Sequence, residues 1–124
     1  MDSDQLQKIL EFAAQQLGKT YKMDAKGPDI WDCSGLTKGA YAAGGIEIRD
    51  GSFNQYDDTN ATEEPEAGGL AFMKNEHGIK HVALIYDLNI VIEASLSHGQ
   101  VIATPIEEFK KGRAGLMFAG FRSY

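Results

Sequence analysis

The chain has little of several residue types, and each scarcity excludes a class of protein. Only one of its 124 residues is a cysteine, so no disulfide can form within the chain and the fold does not depend on an oxidising compartment. Acidic residues outnumber basic ones by 18 to 12, and the net charge of −6 argues against binding to nucleic acid or to an anionic membrane surface. No apolar run is long enough for membrane insertion, and no zinc spacing appears. We therefore expect neither a metal nor a cofactor.

The first residues lack the features of a secretory signal. Residues 1–16 are polar and amphipathic, without a basic segment followed by an apolar run. We therefore expect a chain that is made in the cytoplasm and carries no export address of its own. The length suits a single domain over residues 1–124, which can bury a core without disulfides or metals.

The order of helical and extended patterns predicts an α+β fold. Apolar residues at steps of three and four predict a first helix over Met1–Leu17 and a second over Cys33–Ala43, which the glycine pair 44–45 ends. Short runs of β-branched and aromatic residues between turns predict five strands: Leu70–Met73, His81–Tyr86, Ile90–Ala94, Val101–Thr104 and Leu116–Phe121. N-terminal helices should therefore pack on a central antiparallel sheet.

The single cysteine, Cys33, lies at the predicted start of the second helix. A helix N-terminus lowers the pKa of a thiol through its dipole, and its free N–H groups can stabilise an oxyanion. This position suits a nucleophile. A small, buried and inert cysteine is the alternative, and position alone does not decide between them.

A nucleophilic thiol needs a base beside it, and the chain has three histidines. His81 begins the most apolar predicted strand, where it can face a cleft, whereas His77 and His98 lie in turns beside glycine and should be solvated. Glu93 is the only charged residue of the next strand, and hairpin pairing would bring it near His81. It could hold the imidazole in one tautomer, or it could be an edge-strand glutamate that faces water.

The motifs around these residues resemble the NlpC/P60 family of cell-wall cysteine peptidases, which have a papain-like fold. Asp32-Cys33-Ser34-Gly35-Leu36 is similar to the nucleophile motif of the family, and His81-Val82-Ala83-Leu84-Ile85-Tyr86 is similar to its histidine strand. The resemblance extends from about Tyr21 to the C-terminus. Cysteine before histidine in the chain argues against the circularly permuted relatives. The resemblance implies a papain-like fold with a sheet of about five or six strands.

The resemblance also implies a catalytic group. Cys33 would be the nucleophile, His81 the general base and Glu93 the third catalytic residue. The family usually has histidine at the third position, so Glu93 is a departure. Gly68-Gly69 in place of Gly-Asp is a second departure, and the long polar loop 22–29, where many relatives have a compact Trp-Gly-Gly stretch, is a third.

Three further residues fall where family members bind substrate. Tyr21, Asp32 and Ser34 would line the pocket for the free amine of the peptidoglycan stem peptide and its γ-linked D-glutamate. Tyrosine suits contact with the oxyanion or the substrate, and the carboxylate of Asp32 suits an ammonium partner.

The implied function is a peptidoglycan hydrolase that cleaves the D-γ-glutamyl–diamino acid bond of the stem peptide through a thioester. An N-acetylmuramoyl-L-alanine amidase needs the same machinery. Two other readings stay open: a catalytically weak module that binds stem peptide or belongs to a larger assembly, and amide hydrolysis or acyl transfer on another substrate. We expect the chain to reach the wall after lysis, by injection through a secretion system as an antibacterial effector, or as part of a phage particle, as an endolysin or tail-associated lysin. The alternative is a catalytic domain that belongs to a longer exported chain.

Overall fold

The computed structural model describes residues 1–124 and contains four α-helices and eight β-strands. The helices are α1 (Ser3–Gln15), α2 (Cys33–Ala43), α3 (Ser52–Asp57) and α4 (Ile106–Phe109). The strands are β1 (Thr20–Tyr21), β2 (Ile30–Trp31), β3 (Asn60–Thr62), β4 (Leu70–Asn75), β5 (Gly78–Ile85), β6 (Ile90–Ser95), β7 (Gln100–Pro105) and β8 (Met117–Ser123). None of the helices combines the length and the apolar character that crossing a bilayer requires.

Helix α1 begins with a capping box. The Asp2 side chain accepts a hydrogen bond from the Gln5 amide, and the Gln5 side chain accepts one from the Asp2 amide. Ile9 and Ala13 are buried on one face, as the periodicity predicts. The predicted end at Leu17 is wrong, because this residue lies beyond the helix and its side chain is 44% exposed.

Helix α2 has the predicted bounds. It begins at Cys33 because the carboxylate of Asp32 caps it, accepting a hydrogen bond from the Gly35 amide at 2.6 Å. The glycine pair at 44–45 ends the helix. Leu36 is fully buried and joins the core. The cap therefore fixes the start of the helix at the cysteine.

All eight strands form one sheet in the order β2-β1-β7-β6-β5-β4-β8-β3. Every neighbouring pair is antiparallel except β1 with β2, which are parallel. The five predicted strands form the inner part of this sheet. The sheet is wider than the five or six strands expected, because β1, β2 and β3 add edge strands of two or three residues. Such short segments show no alternation that a sequence pattern could detect.

Side chains of the inner strands alternate between two apolar clusters. On β5, Val82 and Leu84 join the cluster that includes residues of α1 and α2. Ala83 and Ile85 join the second cluster, which includes Phe109 of α4. The sheet is thus covered on both faces. The N-terminal helices lie on one face and α4 lies on the other.

His81 does not begin its strand. It is the fourth residue of β5, because the paired segment starts at Gly78. Strand β5 pairs with β6 at Leu84–Ile92 and Ile85–Val91. Continuing that register by one residue places Ala83 opposite Glu93. His81 is two residues before Ala83, so its side chain lies on the same face of the sheet as the side chains of Ala83 and Glu93.

Candidate active site

The structure brings His81 and Glu93 together. Nε2 of His81 lies 2.7 Å from Oε1 of Glu93, and the glutamate is fully buried. Strand β6 lies between β5 and β7, so Glu93 is on an inner strand. The alternative of an edge-strand glutamate facing water is therefore wrong.

Glu93 is held by two further side chains. Arg113 donates two hydrogen bonds, from Nη1 to Oε1 and from Nη2 to Oε2, each 2.6 Å long. The Thr104 hydroxyl donates to Oε2 at 2.5 Å. Burial alone would raise the pKa of Glu93, but the hydrogen bonds from Arg113 and His81 outweigh it and lower this pKa to about 2. The carboxylate is therefore ionised at neutral pH.

His81 is in turn held between Glu93 and Cys33. Burial would lower the pKa of the imidazole, but hydrogen bonds with Cys33 and Glu93 raise it to about 9. Because Nε2 faces Glu93, the nitrogen left for the cysteine is Nδ1. A protonated ring donates from both nitrogens, so the sulfur of Cys33 accepts. The arrangement suits a thiol beside an imidazole that a buried carboxylate supports.

Cys33 combines a free thiol with free backbone donors. The residue is partly exposed, unlike the buried cysteine of the alternative interpretation. Two nearby backbone amides already donate hydrogen bonds within the protein. The Asp32 amide donates to the Ala25 carbonyl, and the Gly35 amide donates to the Asp32 side chain. The amides of Cys33 and Ser34 have no acceptor within the protein. They can receive an oxyanion that forms on a carbonyl attacked by the thiol.

The three predicted substrate-binding residues surround the same helix start. Burial, Cys33 and Asp32 together raise the pKa of the Tyr21 phenol, so it stays protonated and can donate. Asp32 is buried, and its second carboxylate oxygen accepts from Lys26 at 2.6 Å. The Ser34 hydroxyl lies 3.4 Å from Oδ1 of Asp50. Tyr21 is thus available to a ligand, whereas the carboxylate of Asp32 is already paired within the chain.

Sequence reasoning missed Arg113, Thr104 and Lys26. Arg113 lies in a glycine-rich turn after α4, where a single basic residue is ordinarily solvated. Thr104 lies diagonally opposite Glu93 on β7, since the register pairs Glu93 with Ile102. A buried glutamate on an inner strand was the signal that a cation should be found nearby. The buried glutamate does not indicate which basic residue supplies that cation.

Replacing Glu93 with glutamine should lower kcat/KM about 100-fold. Activity of the native chain should fall as the pH rises through about 9, because the imidazolium that protonates a leaving amine is lost. In Glu93→Gln this fall should occur at lower pH, because the charge that raises the pKa of His81 is gone. A pH profile of amide hydrolysis measures both effects.

Thr104→Val is the matched control for this substitution. It removes one hydrogen bond from Glu93 but keeps the charge and the contact with Arg113. Its effect on rate and on the alkaline limb should be much smaller. An unchanged rate and pH profile for Glu93→Gln would remove this residue from the catalytic group.

No group of three or more His, Cys, Asp or Glu side chains is arranged to hold a metal ion. The charged groups around Cys33 are instead paired with one another: Lys26 with Asp32 and Asp50, and Arg113 with Glu93. The partly exposed Cys33 near His81 supports nucleophilic attack by a thiol, with acid–base assistance from an imidazole.

Comparison with protein families gives one match over most of the chain. The sequence pattern of the NlpC/P60 family matches residues 18–114. The probable endopeptidase p60 of Listeria monocytogenes is 38% identical over 78 residues, which are 61% of this chain and 16% of that protein. The corresponding protein of Listeria innocua is 39% identical over 78 residues, covering 61% of this chain and 17% of that protein. The chain thus spans about a sixth of the length of these relatives.

Solved structures with the same fold cover nearly the whole chain. The peptidoglycan hydrolase RipB from Mycobacterium tuberculosis is 27% identical with a TM-score of 0.76, over 97% of this chain and 64% of that chain. NlpC1 from Trichomonas vaginalis has a TM-score of 0.85 at 20% identity, over 100% of this chain and 45% of that chain. The second likeness concerns the fold alone.

Proposed function

Because the chain belongs to the NlpC/P60 family of endopeptidases and peptidoglycan hydrolases, we propose that it hydrolyses an amide bond in the peptidoglycan stem peptide, with Cys33 as the nucleophile. The observations that carry the proposal are the buried His81–Glu93 pair, joined at 2.7 Å, and the partly exposed Cys33, which contributes to the raised pKa of His81. Unpartnered amides at the start of α2 lie beside the thiol.

The proposed reaction has two steps. The Cys33 thiol gives its proton to Nδ1 of His81 as the sulfur attacks the carbonyl carbon, and the resulting oxyanion accepts hydrogen bonds from the free amides of Cys33 and Ser34. Nδ1 of His81 then donates its proton to the leaving amine as the carbon–nitrogen bond breaks, which leaves a thioester on Cys33. A water molecule attacks the thioester while Nδ1 accepts its proton. The carbon–sulfur bond breaks, Nδ1 returns this proton to the sulfur, and the product leaves as a carboxylic acid that then gives its own proton to solvent.

The proposed bond is that between D-γ-glutamate and the diamino acid. The resemblance of Tyr21, Asp32 and Ser34 to the pocket residues of the family supports this choice. An amidase that cleaves between muramic acid and L-alanine would use the same Cys33 and His81. The two activities differ in the new amine that they release.

Mass spectrometry of digested muropeptides tests the proposal. The purified chain should release a fragment that begins with the diamino acid, and Cys33→Ala should release none. A fragment that begins with L-alanine would instead identify the amidase. If the native chain releases no new amine from muropeptides of either wall type, containing lysine or diaminopimelate, the hydrolase proposal fails. Binding without cleavage would then favour the catalytically weak module.

A further inference from the structure

Lys26 places an ammonium group against the carboxylate next to the nucleophile. Its Nζ lies 2.6 Å from Oδ2 of Asp32 and 2.9 Å from Oδ1 of Asp50. The side chain of Asp32 is only 10% exposed, whereas that of Lys26 is 42% exposed. The lysine therefore lies on the solvent side of the contact, and Oδ2 of Asp32 is already paired with its ammonium group.

The backbone of this loop is held against α2. The Ala25 carbonyl accepts a hydrogen bond from the Asp32 amide at 2.8 Å. Position 35 is a glycine where the loop and helix approach closely, since a Cβ there would lie 2.7 Å from the Ala25 oxygen. Lys26 itself forms a β-bridge with Trp31. The lysine is thus presented by a fixed segment, and its position does not depend on a free loop.

Contacts between Lys26 and the two carboxylates keep Lys26 and Asp50 charged. Burial would lower the pKa of Lys26, but hydrogen bonds to Asp32 and Asp50 outweigh it and raise this pKa. Burial would raise the pKa of Asp50, and the same lysine lowers it. The ammonium and the Asp50 carboxylate are therefore charged at neutral pH. A substrate amine would have to displace Lys26 to reach Asp32.

We propose that Lys26 fills the position where Asp32 would otherwise bind a free amino group, so that this chain prefers stem peptides with an acylated amino terminus. This inference rests on the proposed function and adds the class of substrate. An acylated terminus is an uncharged amide and needs no carboxylate partner. A stem peptide still joined to muramic acid carries such an amide, so the preferred substrate is the attached peptide of intact wall.

A matched pair of peptides tests this inference. L-Alanyl-γ-D-glutamyl peptides, prepared with lysine and with diaminopimelate, are compared with their N-acetylated forms. The native chain should have the larger kcat/KM for the acetylated form. Lys26→Met should shift the ratio of kcat/KM for the two peptides by about 10-fold or more in favour of the peptide with the free amine. The reason is that this variant leaves the Asp32 carboxylate free to accept a charge-assisted hydrogen bond from the amine.

Two control variants separate this effect from a general change in charge or stability. Lys38→Met removes a lysine of α2 that forms no ion pair, and it should leave the ratio at the native value. Lys26→Arg keeps the cation and should also keep the native preference. A ratio that Lys26→Met leaves unchanged, or a native preference for the free amine, would overturn the inference.

Binding keeps this test distinct from the test of the proposed function. If the native chain cleaves neither peptide, the proposed cleavage between D-γ-glutamate and the diamino acid fails. Calorimetry then gives the dissociation constants of both peptides for Cys33→Ala and for Cys33→Ala/Lys26→Met, and the ratio of the two constants is compared between the variants. A shift of about 10-fold towards the free amine supports the role of Lys26 in binding. No shift, or no binding of any peptide, overturns it.

Discussion

Replacing Cys33 with alanine should reduce kcat/KM by about 10⁴-fold or more. The sulfur is the only atom at this site that can form the proposed thioester, and no second cysteine is present to replace it. Because Cys33 is partly exposed and alanine is favourable in a helix, the free energy of unfolding should change by less than about 1 kcal/mol. Rates on muropeptides and a urea titration separate the two effects.

A second readout of the same variant concerns His81. Its pKa is raised to about 9 in part by the hydrogen bond and charge of Cys33, so it should fall in Cys33→Ala. Titration of the imidazole by NMR measures this change. Cys33→Ser keeps the size of the side chain but not its acidity, and it should be inactive with a lowered His81 pKa as well. Activity retained by Cys33→Ala would refute the assignment of the nucleophile.

Replacing Arg113 with methionine should destabilise the fold by about 3 to 5 kcal/mol, because it leaves the buried charge of Glu93 without its guanidinium partner. Urea unfolding at neutral pH measures this loss. The double variant Glu93→Gln/Arg113→Met removes both charges and should recover much of the stability. Arg113→Lys keeps the charge but lacks the two-pronged geometry, so it should lie between the native chain and Arg113→Met.

The pH dependence gives this prediction a second check. The folded-state pKa of Glu93 is about 2, below its ordinary value of 4.5, so the pair stabilises the fold above pH 4.5. This contribution is lost as the pH falls from 4.5 through about 2. In Arg113→Met the folded-state pKa rises, and the loss over that window should shrink. Equal urea midpoints for the native chain and Arg113→Met would mean that the pair adds nothing to stability.

The placement of Cys33, His81 and Glu93 could be anticipated from local patterns. The bounds of α2 follow from its apolar spacing and the glycine pair that ends it, and the cap at Asp32 is encoded beside the cysteine. His81 and Glu93 lie on strands joined by a short turn, so a hairpin brings them near each other. The helix start and the hairpin each depend only on residues that are close together in the sequence, so a local pattern is enough to predict them.

Arg113 and Lys26 could not be found in the same way. Each lies in a polar loop, and each acts on a carboxylate that another element presents. Which loop residue reaches a buried charge depends on the path of the loop through space, and no periodicity records that path. The edge strands β1 and β2 escaped prediction for a related reason, because loop contacts rather than alternation define them.

The position of Arg113 in the chain also sets an order of events during protein synthesis. The ribosome adds Cys33, His81 and Glu93 before it adds Arg113 and the residues of β8. Until Arg113 is added, Glu93 lacks the guanidinium that holds its carboxylate. β8 lies between β4 and β3, so β3 is joined to the rest of the sheet only after β8 exists. A growing chain therefore carries its thiol and imidazole well before it can complete the charge arrangement around Glu93.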